Sequence, residues 1–248
     1  MVKRIRKFLI FNRHDFFFLP EERKEADCEI LSHNLGRLVY LLYIGLPVTL
    51  SHVALFSWNL NASKGIERTW LINLIWSHSL LSVLFLTAGS LAIAIRNKQI
   101  RCPEFARFIP DVIYLIILVM GAVIAGFDQL ITNAITPYLV VCLLSAIILI
   151  MPPLRSAIYF PASFITLVVF INIYQIDNDV ILSNLVNGMT AMAIGWFLSI
   201  TLWRNHLLRY RKDHIIAQQQ ARLIEQNTRL QQIAGELRQA NATKDKLF

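Results

Sequence analysis

Charge is what this chain has least of. Lys, Arg, Asp and Glu make up 16% of its 248 residues, against roughly 25% in soluble domains. That deficit excludes an ordinary water-soluble fold of this length. Cysteine is nearly absent too. Cys28, Cys102 and Cys142 are too scattered for a disulfide framework or a zinc site. On the topology given below, Cys28 and Cys102 fall in the cytoplasm and Cys142 in a span, where thiols are expected to stay reduced. Catalytic motifs are missing as well. Gly121-Ala122-Val123-Ile124-Ala125-Gly126 lacks the Lys-Ser/Thr that completes a phosphate loop. There is no Gly-x-Ser-x-Gly and no clustered His/Glu metal motif, so the chain is assigned no catalytic residue, metal or cofactor. No signal peptide is visible, because residues 1–36 are charged and mixed and the first hydrophobic run starts too late.

Apolar sequence fills the gap. Hydrophobic residues account for 56% of the chain and the mean hydropathy is +0.52. They lie in runs of about 20 residues, the length of membrane helices. Six spans are expected, at 38–58, 70–95, 109–126, 135–151, 155–174 and 180–203, with Trp58, Trp70, Tyr174 and Trp203 at interfaces. The third and fourth are short. Pro152-Pro153 must break the chain before the fifth, and Pro47 is expected to kink the first.

Basic residues orient the spans. Of 24 Lys and Arg, eight precede the first span and nine follow the last. Arg96, Lys98, Arg101, Arg107 and Arg155 fall on the same side, whereas the opposite loops hold only Lys64 and Arg68, with Asp177 and Asp179 in the last. This is the positive-inside pattern of a multi-pass inner-membrane protein with both termini cytoplasmic. The net charge of +8 therefore belongs to membrane ends and to lipid contact, not to nucleic acid, for which no base-reading motif is present. In the arm, Lys3, Arg4, Arg6 and Lys7 beside Phe8, Leu9, Ile10 and Phe11 could lie on anionic lipid, but a positive-inside anchor with some helix is the simpler reading.

The expected organisation is a basic cytoplasmic arm over 1–36, a transmembrane domain over 37–203 and a cytoplasmic extension over 204–248. Residues 204–242 contain no Pro, and Gly235 is their only Gly. Ile216, Leu223, Leu230 and Leu237 recur every seven residues, and Ile233, Ala240 and Leu247 supply a second seam, with polar Gln219 and Gln226 among them. The fold class is thus an all-α membrane protein whose six helices lead into a long coiled-coil signalling helix, with a homodimer as the natural partner state. Carried back into the sixth span, the register meets Gly188, Ala191 and Gly195, with Ser199 extending a small-residue stripe. Two roles stand open: a dimer seam continuous with the coiled coil, or packing against a helix of the same bundle.

Polar residues at membrane depth are costly and default to functional candidates. They are His52 in span 1, Asn73 and His78 in span 2, Asp128 and Asn133 after span 3, Asn172 in span 5, and Asn184 and Asn187 in span 6. Ordinary interhelical hydrogen bonding is the simpler role for the two histidines; ligand contact, including haem ligation, is the sharper one. The surrounding Ile, Leu and aromatic residues suit a small apolar or amphipathic signal, and equally suit lipid.

At the C-terminus, Asn241-Ala242-Thr243-Lys244-Asp245-Lys246-Leu247-Phe248 resembles the start of the dimerisation and phosphotransfer helix of bacterial sensor histidine kinases. Phe127-Asp128-Gln129-Leu130, Ile135-Thr136-Pro137-Tyr138 and Leu182-Ser183-Asn184-Leu185-Val186-Asn187-Gly188 resemble parts of the six-span sensory domains that precede such kinases and diguanylate cyclases. The resemblance implies a two-component sensor module. Its phospho-accepting His and its ATP- and Mg-binding domain would lie beyond Phe248, and a response regulator would be its downstream partner. Asp245-Lys246-Leu247 also fits the approach to a cyclase domain, but Phe248 does not. A transporter, which should show internal repeats and broken helices, and a non-enzymatic membrane receptor or scaffold are the remaining classes.

Overall fold

Helix is the only regular structure among the described residues. The computed structural model describes residues 20–98 and 104–245, with side-chain surroundings over 24–98 and 105–238. Five helical segments are long and apolar enough to cross a membrane, and Thr136–Ile148 is a shorter apolar helix.

α1 runs Pro20–Tyr40. Ala26, Ile30, Leu31, Leu35 and Leu38 repeat at helical spacing and are buried. This stretch, read from sequence as mostly cytoplasmic arm, packs along the next long helix but one. A π turn at Leu41–Gly45 follows, in which the Leu46 N–H donates to the Leu41 carbonyl five residues back. Proline inside a continuous helical run demands this kind of adjustment, because Pro47 brings no N–H and its ring crowds the preceding turn. The Pro47 distortion is therefore taken up as one widened turn ahead of α2, Leu46–Leu60.

α3, Gly65–Asn97, turns Leu71, Leu74, Leu81, Phe85, Ala88, Ala92 and Ile95 inward. Its Gly89 lets α1 and the π turn lie close: a Cβ there would stand 2.4 Å from Leu42 Cβ. α4, Phe108–Asp128, follows a short 3-10 turn at Glu104–Arg107. Half of its apolar window is buried, the largest share of any candidate span, which makes it the centre of the bundle. α3, α5 and α6 all pack on it.

α5, Thr136–Ile148, has 13 residues, about 20 Å of helix against a hydrocarbon core of about 30 Å. Beyond it Leu149, Ile150 and Met151 are non-helical yet buried, because Pro152-Pro153 disfavours helix in the residues before it. Buried backbone outside a helix needs partners, and α1 supplies them. Asn34 Nδ2 donates to the Ile150 carbonyl at 2.9 Å, and the Ile150 N–H donates to Asn34 Oδ1 at 2.9 Å. Arg37 Nη1 donates to the carbonyls of Ile147 and Ile148, a cation on the open C-terminal end of α5.

α6, Pro153–Tyr174, starts on the second proline of the pair. α7 runs Asn178–Asp245, and Asp177 caps it, accepting the N–H groups of Asp179 and Val180 on Oδ1. The small-residue stripe of α7 faces its own bundle. A Cβ on Gly188 would lie 2.6 Å from Leu167, and one on Gly195 would lie 2.6 Å from Phe160 and 2.7 Å from the Cys142 carbonyl oxygen; Ala191 and Ser199 are buried. Of the two roles open from the sequence, these intrachain neighbours favour packing within the same bundle.

The chain divides into two compact units, one ending at Trp203 and one starting at Arg204. Within the second, every residue from 211 to 238 is exposed. Leu247, Cys102 and the basic cluster at residues 3–7 lie outside the described residues. Cys142 is free and buried. Cys28 stands in disulfide geometry, a pairing that spacing along the sequence did not reveal.

Candidate functional site

The first unit holds a cavity of about 1090 Å³, walled by the π turn and α2 on one side and α5 on the other, with α3 and α4 as its floor. α5 packs on α4, so a cleft remains between it and α2. The lips of the cleft, among them Ile44, Val48, Leu144 and Ile147, are exposed apolar residues.

Two of the predicted residues meet in this cavity. His52 of α2 and His78 of α3 stand with ring centroids 4.6 Å apart, edge to face at 68°. Both are half-buried, and both line the cavity. The Nδ1 atom of each is buried and carries no hydrogen bond. Phe56 lies 6.0 Å from His52 and 5.7 Å from His78, and Trp70 lies 6.2 Å beyond Phe56. One turn further along, Ser82 Oγ is 2.8 Å from Thr49 Oγ1, which ties α3 to α2 beside the histidines.

Asp128 is also at the cavity, where its Oδ1 accepts the Trp70 indole N–H at 3.0 Å. Behind it sits a polar knot that brings the predicted Asn133 and Asn184 together around Gln129, a residue the sequence did not single out, which is 4% exposed. Gln129 Nε2 donates to the carbonyls of Ala125 and Ala134. Its Oε1 accepts from Asn184 Nδ2 at 2.9 Å and from Gln175 Nε2 at 3.4 Å. Asn133 joins through its carbonyl, which accepts from Asn184, and through Oδ1, which accepts from Gln175 at 2.6 Å. Asn133 holds a left-handed backbone, φ +55, which Asn tolerates better than most residues. The one available signal was a Gln at the end of an apolar run, next to an acid.

The other predicted residues are elsewhere. Asn73 is half-buried on α3 and is not among the cavity residues. Asn172 and Asn187 are exposed, and Asn172 Nδ2 donates to the Val168 carbonyl of its own helix. At the opposite end of the bundle Arg155 Nη1 donates to Asp111 Oδ2, an ion pair that latches α6 to α4. Tyr114, on the cavity floor, is fully buried.

No family model, curated protein or solved structure matches this chain.

Among the described residues of the cavity no hydroxyl is hydrogen-bonded to a histidine ring, and Asp128 is the single carboxylate. What the cavity can do is bind: it is concave, largely apolar and marked by a small set of polar groups, the general character of a small-molecule site.

Proposed function

We propose that this chain is the membrane sensor module of a bacterial two-component histidine kinase. In this reading six helices span the inner membrane with both termini cytoplasmic. The cavity between α2 and α5 receives a small apolar or amphipathic signal, and α7 passes the change to a kinase core through a homodimeric coiled coil. ATP and Mg would be used only by that core, and a response regulator would take the phosphoryl group.

The observation that carries the reading is the bare heptad seam of α7. Ile216, Leu223, Leu230, Ile233 and Leu237 are 50%, 60%, 63%, 52% and 61% exposed. A polar helix with a single apolar seam is marginal alone in water and is stabilised by a parallel twin. The resemblance of residues 241–248 to the start of a phosphotransfer helix names the output. For the signal to be transmitted, it must bind two packings of the bundle with different affinity.

The test joins residue 248 in register to the phosphotransfer and ATP-binding domains of a histidine kinase and measures autophosphorylation in proteoliposomes. Inserting one residue after Leu223 should change the phosphorylation level, and inserting seven should restore it. Equal activity for both insertions would sink the proposal.

A further inference from the structure

We propose that the cavity between α2, α3 and α5 is a site for a lipid-soluble quinone in its oxidised form, held at its ring by His52 and His78. The inference deepens the sensor reading and rests on it for the bilayer setting, but not for the kinase output.

A neutral imidazole has one N–H donor and one bare nitrogen acceptor. Here each Nδ1 is sealed from the cavity and has no partner. An orphaned buried N–H is rarer in proteins than an under-used acceptor, so the proton on each ring sits on Nε2. Both rings then have a donor to offer, and neither Nε2 has a hydrogen-bond acceptor among the described residues. In an apolar, membrane-depth site such a pair is costly unless something fills it. The rings stand 4.6 Å apart, close enough to serve one ligand head. The complementary head is a neutral oxygen acceptor such as a carbonyl. A carboxylate is disfavoured because Asp128 lines the same cavity.

The surroundings select among carbonyl compounds. Phe56 and Trp70 extend the pair into a patch of rings with centroids 5.7–6.2 Å apart, which favours a flat aromatic-sized head over a bare ketone or ester. From the histidines the cavity continues along the π turn to Arg37 and Leu149. Arg37 to Phe56 on this wall spans roughly 28 Å of helix, close to the hydrocarbon thickness of about 30 Å. This gives an extended apolar tail room to lie. The volume, about 1090 Å³, stands at the top of the ~300–1,000 Å³ range of ligand pockets. The exposed apolar lips open toward lipid, so a ligand partitioned in the bilayer reaches the rings without crossing water.

Donors distinguish redox states. A quinone carbonyl accepts from both imidazoles, whereas the hydroxyl of a quinol brings a competing donor to a site already furnished with two. The site therefore reads the oxidised fraction of the membrane quinone.

The test uses the full chain in phosphatidylcholine nanodiscs and a photoreactive azidoquinone with a decyl tail, with labelled peptides mapped by mass spectrometry. Label is expected on residues 40–56, 70–85 and 136–149. Oxidised decylubiquinone should displace it, decylubiquinol at least about tenfold less well, and decylbenzene not at all. His52→Phe/His78→Phe should lose about tenfold of the displaceable label, a factor that one or two hydrogen bonds supply. His52→Gln/His78→Gln, which restores N–H donors, should recover much of it, and this separates recognition from misfolding. Equal competition by decylbenzene would mean that only a lipid tail occupies the cleft. Equal competition by the quinol would remove the donor argument. A disulfide between protomers at Leu144→Cys would put a second copy in the cleft. Each of these three results overturns the proposal. Because the readout is binding alone, a failed chimera with intact labelling would reject the kinase reading and leave the site.

Discussion

At the scale of single residues, polar side chains in this bundle divide into those fully bonded and those left open. Asn34 belongs to the first kind: it closes a two-way bond with the backbone of Ile150. Asn34→Leu should therefore strand one buried donor and one buried acceptor, each costing roughly 1–3 kcal/mol. Asn34→Asp keeps the acceptor for the Ile150 N–H but sets a second carboxylate oxygen against the Ile150 carbonyl, so it should be destabilising as well. Thermal melting of the detergent-solubilised protein checks both, and equal melting points for Asn34→Leu and wild type would contradict the role. Gln129 is the matching residue at the other end. Gln129→Leu removes the centre of a network that includes Asn184, Gln175 and the Ala134 carbonyl, and a destabilisation of about 1–3 kcal/mol is expected by the same reasoning. His52 and His78 are the open kind, which is why they and not the better-bonded residues are assigned to a ligand.

At the scale of elements, glycines on α7 have opposite meanings on either side of Arg204. Gly195 touches Phe160 and the backbone of Cys142, so Gly195→Val overpacks an interface that backbone cannot vacate, at a cost of about 1–3 kcal/mol. Gly235 has nothing within 4 Å and sits off the heptad seam. Gly235→Ala should stabilise the helix by about 0.5–1 kcal/mol, seen as a higher melting temperature of the helical circular-dichroism signal in the full chain. Seam geometry yields a separate prediction. Leu223→Cys and Leu230→Cys should form disulfide-linked dimers, whereas Glu225→Cys and Gln232→Cys, on the outward face, should not. Cysteine at 188 or 195 should not crosslink either, because those positions are filled by α6 and α5 of the same chain. A dimer contact that begins after the membrane, rather than along the whole of α7, is the pattern this implies.

At the scale of the whole molecule, the first unit presents an apolar exterior to its surroundings. Trp58 and Trp76 are 85% and 73% exposed, whereas Trp70 is half-buried and bonded to Asp128. In nanodiscs containing brominated lipid, single-tryptophan variants should show strong quenching at Trp58 and Trp76 and weaker quenching at Trp70. Strong quenching at Trp70 as well would mean that lipid chains run freely through the cavity. The two units differ in kind. One is held together by interhelical packing around α4; the other is a helix whose apolar seam, Ile216, Leu223, Leu230, Ile233 and Leu237, is exposed.

Composition and periodicity alone determined that the chain is helical and suited to a membrane, because runs of about 20 apolar residues and a seven-residue repeat are local properties. They also determined that Pro152-Pro153 ends a helix and that Pro47 disturbs one, since proline acts on its own neighbours. Sequence marked His52, His78 and Asp128 as unusual, but not that they share a cavity while Asn73, Asn172 and Asn187 do not. That depends on how each helix is rotated against the next, which the packing of Gly89 on Leu42 and Gly121 on Val141 decides. The inward turn of Gly188 and Gly195 was likewise undecidable from spacing, because a small-residue stripe fits a twin helix and a neighbour equally well. Asn34 and Gln129 went unread for a related reason: each is bonded to backbone far along the chain or at a loop, and only the folded structure brings those carbonyls and N–H groups within reach.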